Sequence, residues 1–233
     1  ADRLSALGEL SAGLAHEIRN PLGSIEGSLQ ILRRVELPES TRREFGDMAQ
    51  KEVNRLKDLV SNFLDFARPS RPRRKPTDVE TLLDSVRMLA DEAARMAGVR
   101  IRLAAARSVP AAAIDPDQVK QVLLNLVLNA IQAMPNDGEV TLEAIQKNGR
   151  LEIRVRDEGV GIEPENLEKI FDPFFTTRAD GTGLGLSVAY QIISAHGGNI
   201  AAVRNQDKGM TFVVTLPLQE EPLAVNAAAG ERI

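Results

Sequence analysis

Leu14-Ala15-His16-Glu17-Ile18-Arg19-Asn20-Pro21-Leu22 sits inside a helical pattern and departs from it twice. Apolar residues at Leu4, Leu7, Leu14, Ile18, Ile25 and Leu32 keep one heptad phase through it, so the spacing predicts a single helix from Asp2 to about Arg34. Pro21 falls within that helix, where it leaves the Glu17 carbonyl without its partner and bends the rod. The second departure is His16. With Leu4, the polar Ser11, Ile18 and Ile25 at one seam position and Leu7 and Leu14 at the other, His16 falls opposite the seam and is expected to face water. Glu17 stands beside it and Asn20 lies one turn ahead on the same face. An imidazole so placed is either a nucleophile or proton carrier, or a solvated surface histidine.

Beyond the turn at Val35-Glu36-Leu37-Pro38-Glu39-Ser40, a second helix is expected to run to about Phe66. Phe45, Ala49, Val53, Leu56, Val60 and Phe63, three or four apart, form its seam. Two such helices in a hairpin bury only part of their apolar faces, and a second hairpin completes a four-helix bundle; a homodimer is therefore expected. The heptad is already in phase at Leu4, as in a helix continuing from an upstream input domain. Arg68-Pro69-Ser70-Arg71-Pro72-Arg73-Arg74-Lys75-Pro76 cannot be helical and marks a connector over 68–76. Its charge fits a solvated linker better than a nucleic-acid patch.

From Thr77 the pattern mixes helices and strands. Asp78 caps a helix carrying Val79, Leu82, Leu83, Val86 and Leu89, and Val99, Ile101 and Leu103 alternate as a strand. A short strand at Ala112–Ile114 leads to Asp115-Pro116, an N-cap and N1 proline opening a helix to about Met134. Val140–Ile145 and Leu151–Val155 flank a hairpin turn at Lys147-Asn148-Gly149-Arg150. A helix near Leu184–Ala195 stops at Gly197-Gly198, and strands Ile200–Arg204 and Met210–Leu216 follow. The fold class read from this is α+β: a helical hairpin over 1–67, the connector, a sandwich of one mixed sheet and one helical layer over 77–217, and a patternless tail over 218–233.

With 43% apolar and 27% charged residues in 233, one to two globular domains are expected. No apolar run is long enough to span a membrane and the start is not a signal peptide, so the expected location is the cytoplasm, with no membrane contact by this chain. The absence of cysteine removes disulfides and thiolate metal sites, and two histidines make a transition-metal site improbable. A net charge of −4 and 3% aromatic content argue against nucleic acid as a partner.

Three further stretches carry chemistry. Asn125 and Asn129, four apart on one helical face beside Val122, Leu123, Leu126, Val127 and Ile131, are either capped or solvated amides or ligands for Mg²⁺ in company with phosphates. Asp157-Glu158-Gly159-Val160-Gly161 reads as a plain turn, or as a carboxylate for an exocyclic amine with glycines that let a flat ring approach. Gly181-Thr182-Gly183-Leu184-Gly185-Leu186-Ser187 opens directly into a helix whose first amides attract phosphate oxygens. It matches neither the phosphate-loop nor the dinucleotide-binding pattern. His196, before Gly197-Gly198, reads as structural, favouring the helix C-terminus.

His16-Glu17-Ile18-Arg19-Asn20-Pro21-Leu22 resembles the H-box of sensor histidine kinases, and the later stretches resemble the ATP-binding domain these share with the gyrase, heat-shock and mismatch-repair ATPases. The resemblance runs from His16 to Pro217. It implies that His16 attacks the γ-phosphate of ATP, that Glu17 holds the tautomer and accepts the proton, and that Asn20 positions a water when a response-regulator receiver domain is dephosphorylated. It further implies Asn125 and Asn129 as the N-box, with Asn129 the Mg²⁺ ligand. Asp157, Gly159 and Gly161 match the first glycine box, whose aspartate reads adenine. Phe171-Asp172-Pro173-Phe174-Phe175 matches the phenylalanine box, with Phe174 at the nucleotide. Gly181, Thr182, Gly183, Leu184, Gly185 and Leu186 match the second glycine box around the phosphates. Gly209 and Thr211 match a third, and a lid is implied between Pro173 and Thr182.

Two departures bear on the chemistry. Hydrolysing members carry a water-activating glutamate where this chain has Asn125; without that base water is a poor nucleophile, and a separate acceptor such as His16 makes sense. Gln132 stands where many histidine kinases place a basic residue, which leaves phosphate neutralisation partly to Arg178. Phe63-Leu64-Asp65-Phe66-Ala67-Arg68-Pro69 is similar to the nitrogen-regulation class. An ATP-gated dimerisation module and an anti-sigma-type serine kinase are the rival functions; neither needs a hairpin bearing His16 and Asn20.

Overall fold

The structure, a computed structural model, describes residues 2–34, 36–67, 71–104, 109–178 and 181–218. The side chains of residues 2–12, His16 and Asp65 lie outside that description. So do Arg68-Pro69-Ser70 and, Leu218 apart, the expected tail. The chain gathers into two compact units, one of Ala1–Arg71 with Gly161–Ile192, the other of Pro72–Val160 with Ile193–Ile233.

The first unit holds the helical hairpin. α1 (Asp2–Leu32) continues through Pro21, and α2 (Glu39–Ala67) packs along it. Leu59 and Pro21 are buried, whereas the seam residues Leu14, Ile18, Ile25 and Leu32 are only half-buried. A two-helix hairpin cannot enclose an apolar core from all sides, so part of each apolar face stays open. Arg55 of α2 reaches Glu17 of α1 at 3.7 Å. The same unit contains a short 3₁₀ turn at Pro164–Asn166 and the Phe171–Tyr190 ring pair, centroids 5.9 Å apart.

In the second unit β1 (Lys75–Thr77) pairs antiparallel with β3 (Ala112–Ile114), Lys75 opposite Ile114 and Thr77 opposite Ala112. The sequence placed Lys75 and Pro76 in the connector. They form a strand because a two-stranded ribbon asks for hydrogen bonds on one side only, which a proline tolerates. α3 (Val79–Met96) starts at Asp78, whose carboxylate accepts the N–H groups of Glu80 and Thr81 at 3.3 Å. β2 (Val99–Leu103), β4 (Gly138–Lys147), β5 (Arg150–Arg156), β6 (Asn199–Arg204) and β7 (Met210–Pro217) form one sheet of order β2-β4-β5-β7-β6. Among the described strands of this sheet the β2–β4 pair is parallel and the other pairs are antiparallel, so the sheet is mixed.

Alternation along β4, β5 and β7 puts Leu142, Ile153, Val155, Phe212 and Val214 on the buried face, and on the other face the charged or polar Thr141, Glu143, Glu152, Arg154, Thr211 and Thr215 together with the apolar Ile145 and Val213. α3 and α4 (Pro116–Gln132) pack against each other and the sheet to form the helical layer. The β4–β5 turn needs two residues with positive φ, and Asn148 (52°) and Gly149 (73°) supply them. Among the described residues no helix is long and apolar enough to cross a membrane.

Candidate nucleotide and phosphoacceptor sites

β5 ends at Arg156, and the chain turns away at Asp157, which is 3% exposed. Its Oδ1 accepts the N–H of Gly159 at 2.8 Å and that of Met210 at 3.1 Å. Among the described residues both donors therefore fall on one oxygen, and Oδ2 keeps its capacity to accept. Burial raises the carboxyl pKa above its ordinary value, and the two N–H bonds only partly oppose it.

The glycines around it have separate reasons. A side chain on Gly159 would lie 2.7 Å from the Ala133 Cβ, and Val160 donates to the Ala133 carbonyl at 3.2 Å. The missing side chain thus admits the end of α4. Gly209 (φ 82°) carries the β6–β7 turn across Asp157, where a Cβ would be 2.7 Å from Oδ1.

Asn205, at the start of that turn, escaped the sequence reading. Its Nδ2 donates to the carbonyls of Asp157 at 2.8 Å and Lys208 at 3.0 Å, and its Oδ1 accepts the Thr211 hydroxyl at 2.6 Å. An asparagine opening a turn is too common in sequences to single out.

On α4, Asn125 and Asn129 are both half-buried beside the buried Leu126 and Ala130. The Asn125 Nδ2 is buried with no hydrogen-bond partner among the described residues. A buried donor left unpaired is costly unless something fills the place, and an anionic oxygen or a water does so. Together with the Asn129 amide oxygen, this donor set fits Mg²⁺ bound through phosphate and water.

The start of α4 is firmly held. Asp115 accepts from Asp117 and Gln118 at 3.1 and 3.2 Å through Oδ1, and from the Arg73 N–H at 2.8 Å through Oδ2. Its own N–H donates to Nε2 of His196 at 3.1 Å. His196 is 1% exposed and ties to the head of α4, a structural place. Burial pushes the Asp115 carboxyl up, yet the Arg73, Gln118 and Asp117 N–H groups and nearby His196 outweigh it and hold the pKa below its usual value.

In the first unit, α5 (Gly185–Ala195) begins at the glycine run and continues into the second. Gly183 (φ 67°) lies against the Phe174 backbone, where a Cβ would come within 2.6 Å of the Phe174 Cα. Phe174 itself has φ 64°, a costly value for an aromatic residue. Its ring lies against Gly13 of α1, 3.3 Å from where a Cβ would stand. Phe174 thus meets α1 through its ring and the glycine run through its backbone. Thr182 Oγ1 accepts the Leu184 N–H at 3.5 Å, Leu184 is fully buried, and Ser187 Oγ donates to the Leu184 carbonyl at 2.9 Å. The Gly185, Leu186 and Ser187 amides belong to the first turn, whose N–H groups lack intrahelical acceptors. Arg178 is exposed, and its N–H donates to Thr176 Oγ1 at 3.1 Å. Gly161 adopts φ 78°.

His16 lies within α1, but its side chain is outside the described residues, so its expected exposure has no counterpart here. Glu17 is partly exposed and paired with Arg55, and Asn20 is exposed.

Residues 6–72 match the family model of the His Kinase A (phospho-acceptor) domain. Residues 114–220 match that of the histidine kinase-, DNA gyrase B- and HSP90-like ATPase. The sensor histidine kinase ZraS of Escherichia coli (strain K12) is 38% identical over 93% of this chain and 47% of its own, so the chain spans about half the length of that relative. Among solved structures, histidine kinase ThkA in complex with response regulator TrrA is 30% identical over 94% of this chain and 64% of that one, with a TM-score of 0.80. The separate ThkA catalytic domain is 32% identical, covering 63% of this chain and 96% of that one, with a TM-score of 0.57. Full-length ShkA in complex with AMPPNP is 29% identical over 90% of this chain and 45% of that one, with a TM-score of 0.67.

Proposed function

Because the chain belongs to the sensor histidine kinase family, we propose that it transfers the γ-phosphoryl group of Mg-ATP to His16 and then to an aspartate of a response-regulator receiver domain. Phosphatase activity toward that regulator, with Asn20 positioning the water, belongs to the same reading. The division into a phosphoacceptor hairpin over 1–67, a connector over 68–76, an ATP-binding domain over 77–217 and a tail is proposed with it, as is an upstream sensor that would make this the cytoplasmic part of a membrane-bound protein. The similarity of Phe63–Pro69 to the nitrogen-regulation class suggests an enhancer-binding regulator as the receiver.

In-line phosphoryl transfer asks mainly for positioning and charge neutralisation. The assigned roles follow the chemistry of each group. Asp157 Oδ2 accepts from the adenine amine. The Gly181–Leu186 run, through amides such as those of Gly185 and Leu186, and the Arg178 guanidinium bind phosphate oxygens, and the Asn125 amide donates to one of them or to a water. Asn129 would hold Mg²⁺, which when bound offsets charge on the phosphates. The His16 imidazole forms a bond to the γ-phosphorus as the bond to the bridging oxygen breaks and ADP leaves, while Glu17 accepts the imidazole proton. Glu17 is paired with Arg55, so that pair must loosen for the carboxylate to act.

The observation that carries the proposal is the presence in one chain of a matched phosphoacceptor hairpin and a buried carboxylate with one oxygen unspent. Asn125 adds weight, since it supplies no base for hydrolysis. Incubation with γ-labelled ATP should leave acid-labile, alkali-stable label on the protein and none on His16→Ala. Equal labelling of the variant, or acid-stable label, would transfer the assignment to a serine kinase.

A further inference from the structure

We propose that Asn205 is a positioning residue that makes the adenine-reading end of the sheet accept hydrogen bonds only, and so selects a 6-amino purine over other purines. This rests on the assignment of Asp157 to the adenine amine. One side chain joins three pieces of backbone: the end of β5 through the Asp157 carbonyl, the turn through Lys208, and β7 through Thr211.

The orientation of the amide is determined by its partners. Two carbonyls face the nitrogen and one hydroxyl faces the oxygen, and reversing the group would set an oxygen against both carbonyls. The Thr211 hydroxyl spends its only hydrogen on Asn205 at 2.6 Å, so toward any other group it can only accept. At Asp157 the N–H groups of Gly159 and Met210 occupy Oδ1, so the ligand-accepting oxygen is Oδ2. Met210, a donor to Asp157, is the neighbour of Thr211, and Asn205 holds Thr211 and the Asp157 carbonyl together.

An edge of acceptors suits a ring that presents an amine. A 6-oxo purine would bring acceptor to acceptor, and a purine with hydrogen at that carbon would leave the acceptors unpaired. Asn205 touches no part of the nucleotide in this scheme; it acts through Asp157 and Thr211.

Calorimetry on the full chain with Mg²⁺ tests this with ADP and with purine riboside diphosphate, which lacks the amine. The unsubstituted protein should prefer ADP by about tenfold or more. In Asn205→Ala, ADP should weaken by about tenfold while the analogue changes less than about twofold, so the preference shrinks. Thr211→Val, which keeps a strand-forming side chain and leaves the turn intact, should shrink it in the same direction. A purely structural role would lower the melting temperature and weaken both nucleotides together, and that outcome, or an unchanged preference in both variants, overturns the proposal. Asp157→Asn separates the two assignments: if it still binds ADP fully, the adenine reading itself falls. If it loses ADP while Asn205→Ala keeps the full preference, only the role of Asn205 falls.

Discussion

At Asp157 the protein keeps an ionisable carboxyl 3% exposed and grips only one of its oxygens. Burial raises its pKa, so ionisation opposes folding. The stability linked to this group is fully present below the unfolded pKa and is lost as pH rises through the higher folded value. Asp157→Asn removes that cost, and its amide oxygen still accepts from Gly159 and Met210. On the proposed assignment the nitrogen would face the adenine amine, donor against donor. Melting of the nucleotide-free variant at neutral pH should therefore be at or above that of the unsubstituted protein, while ATP affinity measured by calorimetry should drop at least about a hundredfold. Affinity of the unsubstituted protein should decline on acidification sooner than an ordinary carboxylate would make it. A destabilised variant that still binds would contradict both halves of the reasoning.

Among the elements, α4 has the most dependent start. Asp115 caps it, ties the chain at Arg73 to it, and donates to His196 at the end of α5. Removing the cap in Asp115→Ala also strands the Arg73 N–H, and a loss of about 1–2 kcal/mol in urea unfolding is expected. The pH sign is opposite to that of Asp157. The folded pKa is depressed, so the stabilisation is present above the unfolded pKa and lost as pH falls through the folded one. The gap between variant and unsubstituted protein should close in acid; a gap that widens there would contradict the assigned bonds. The helix α5 shows a different dependence, on glycine. Gly183 pairs a positive φ with close approach to Phe174, so any side chain there must move the backbone of a segment already strained at Phe174.

For the whole molecule, the open question of the hairpin is what covers its apolar faces. Leu22 and Leu29 on α1 are 50% and 51% exposed, and Val60 and Leu64 on α2 are 44% and 55% exposed. Seven residues separate the first pair and four the second, so each makes a stripe along its helix. A second copy of the hairpin would cover both stripes and complete a bundle. Sedimentation should give a dimer for the chain and a monomer of similar helix content for Leu22→Glu with Leu29→Glu. A dimer that survives both charges would place the interface elsewhere.

Much of this was legible in the residues alone. Heptads, caps at Asp78 and Asp115, the Asn148-Gly149 turn and period-two alternation are local, because each depends on neighbours a few positions apart and on backbone preferences that act at short range. The family boxes were legible for the same reason: their residues are contiguous. Contacts between distant positions were not. That Gly159 yields to Ala133, that Gly13 leaves room for Phe174, that His196 answers Asp115, and that Asn205 bonds Asp157 and Thr211 depend on which strands and helices meet. The pairing of β1 with β3 is of that kind too, since Lys75 and Pro76 find their partners 37 to 39 positions away at Ala113 and Ile114. Such juxtapositions are set by packing between elements far apart in the chain, which no short window of sequence contains.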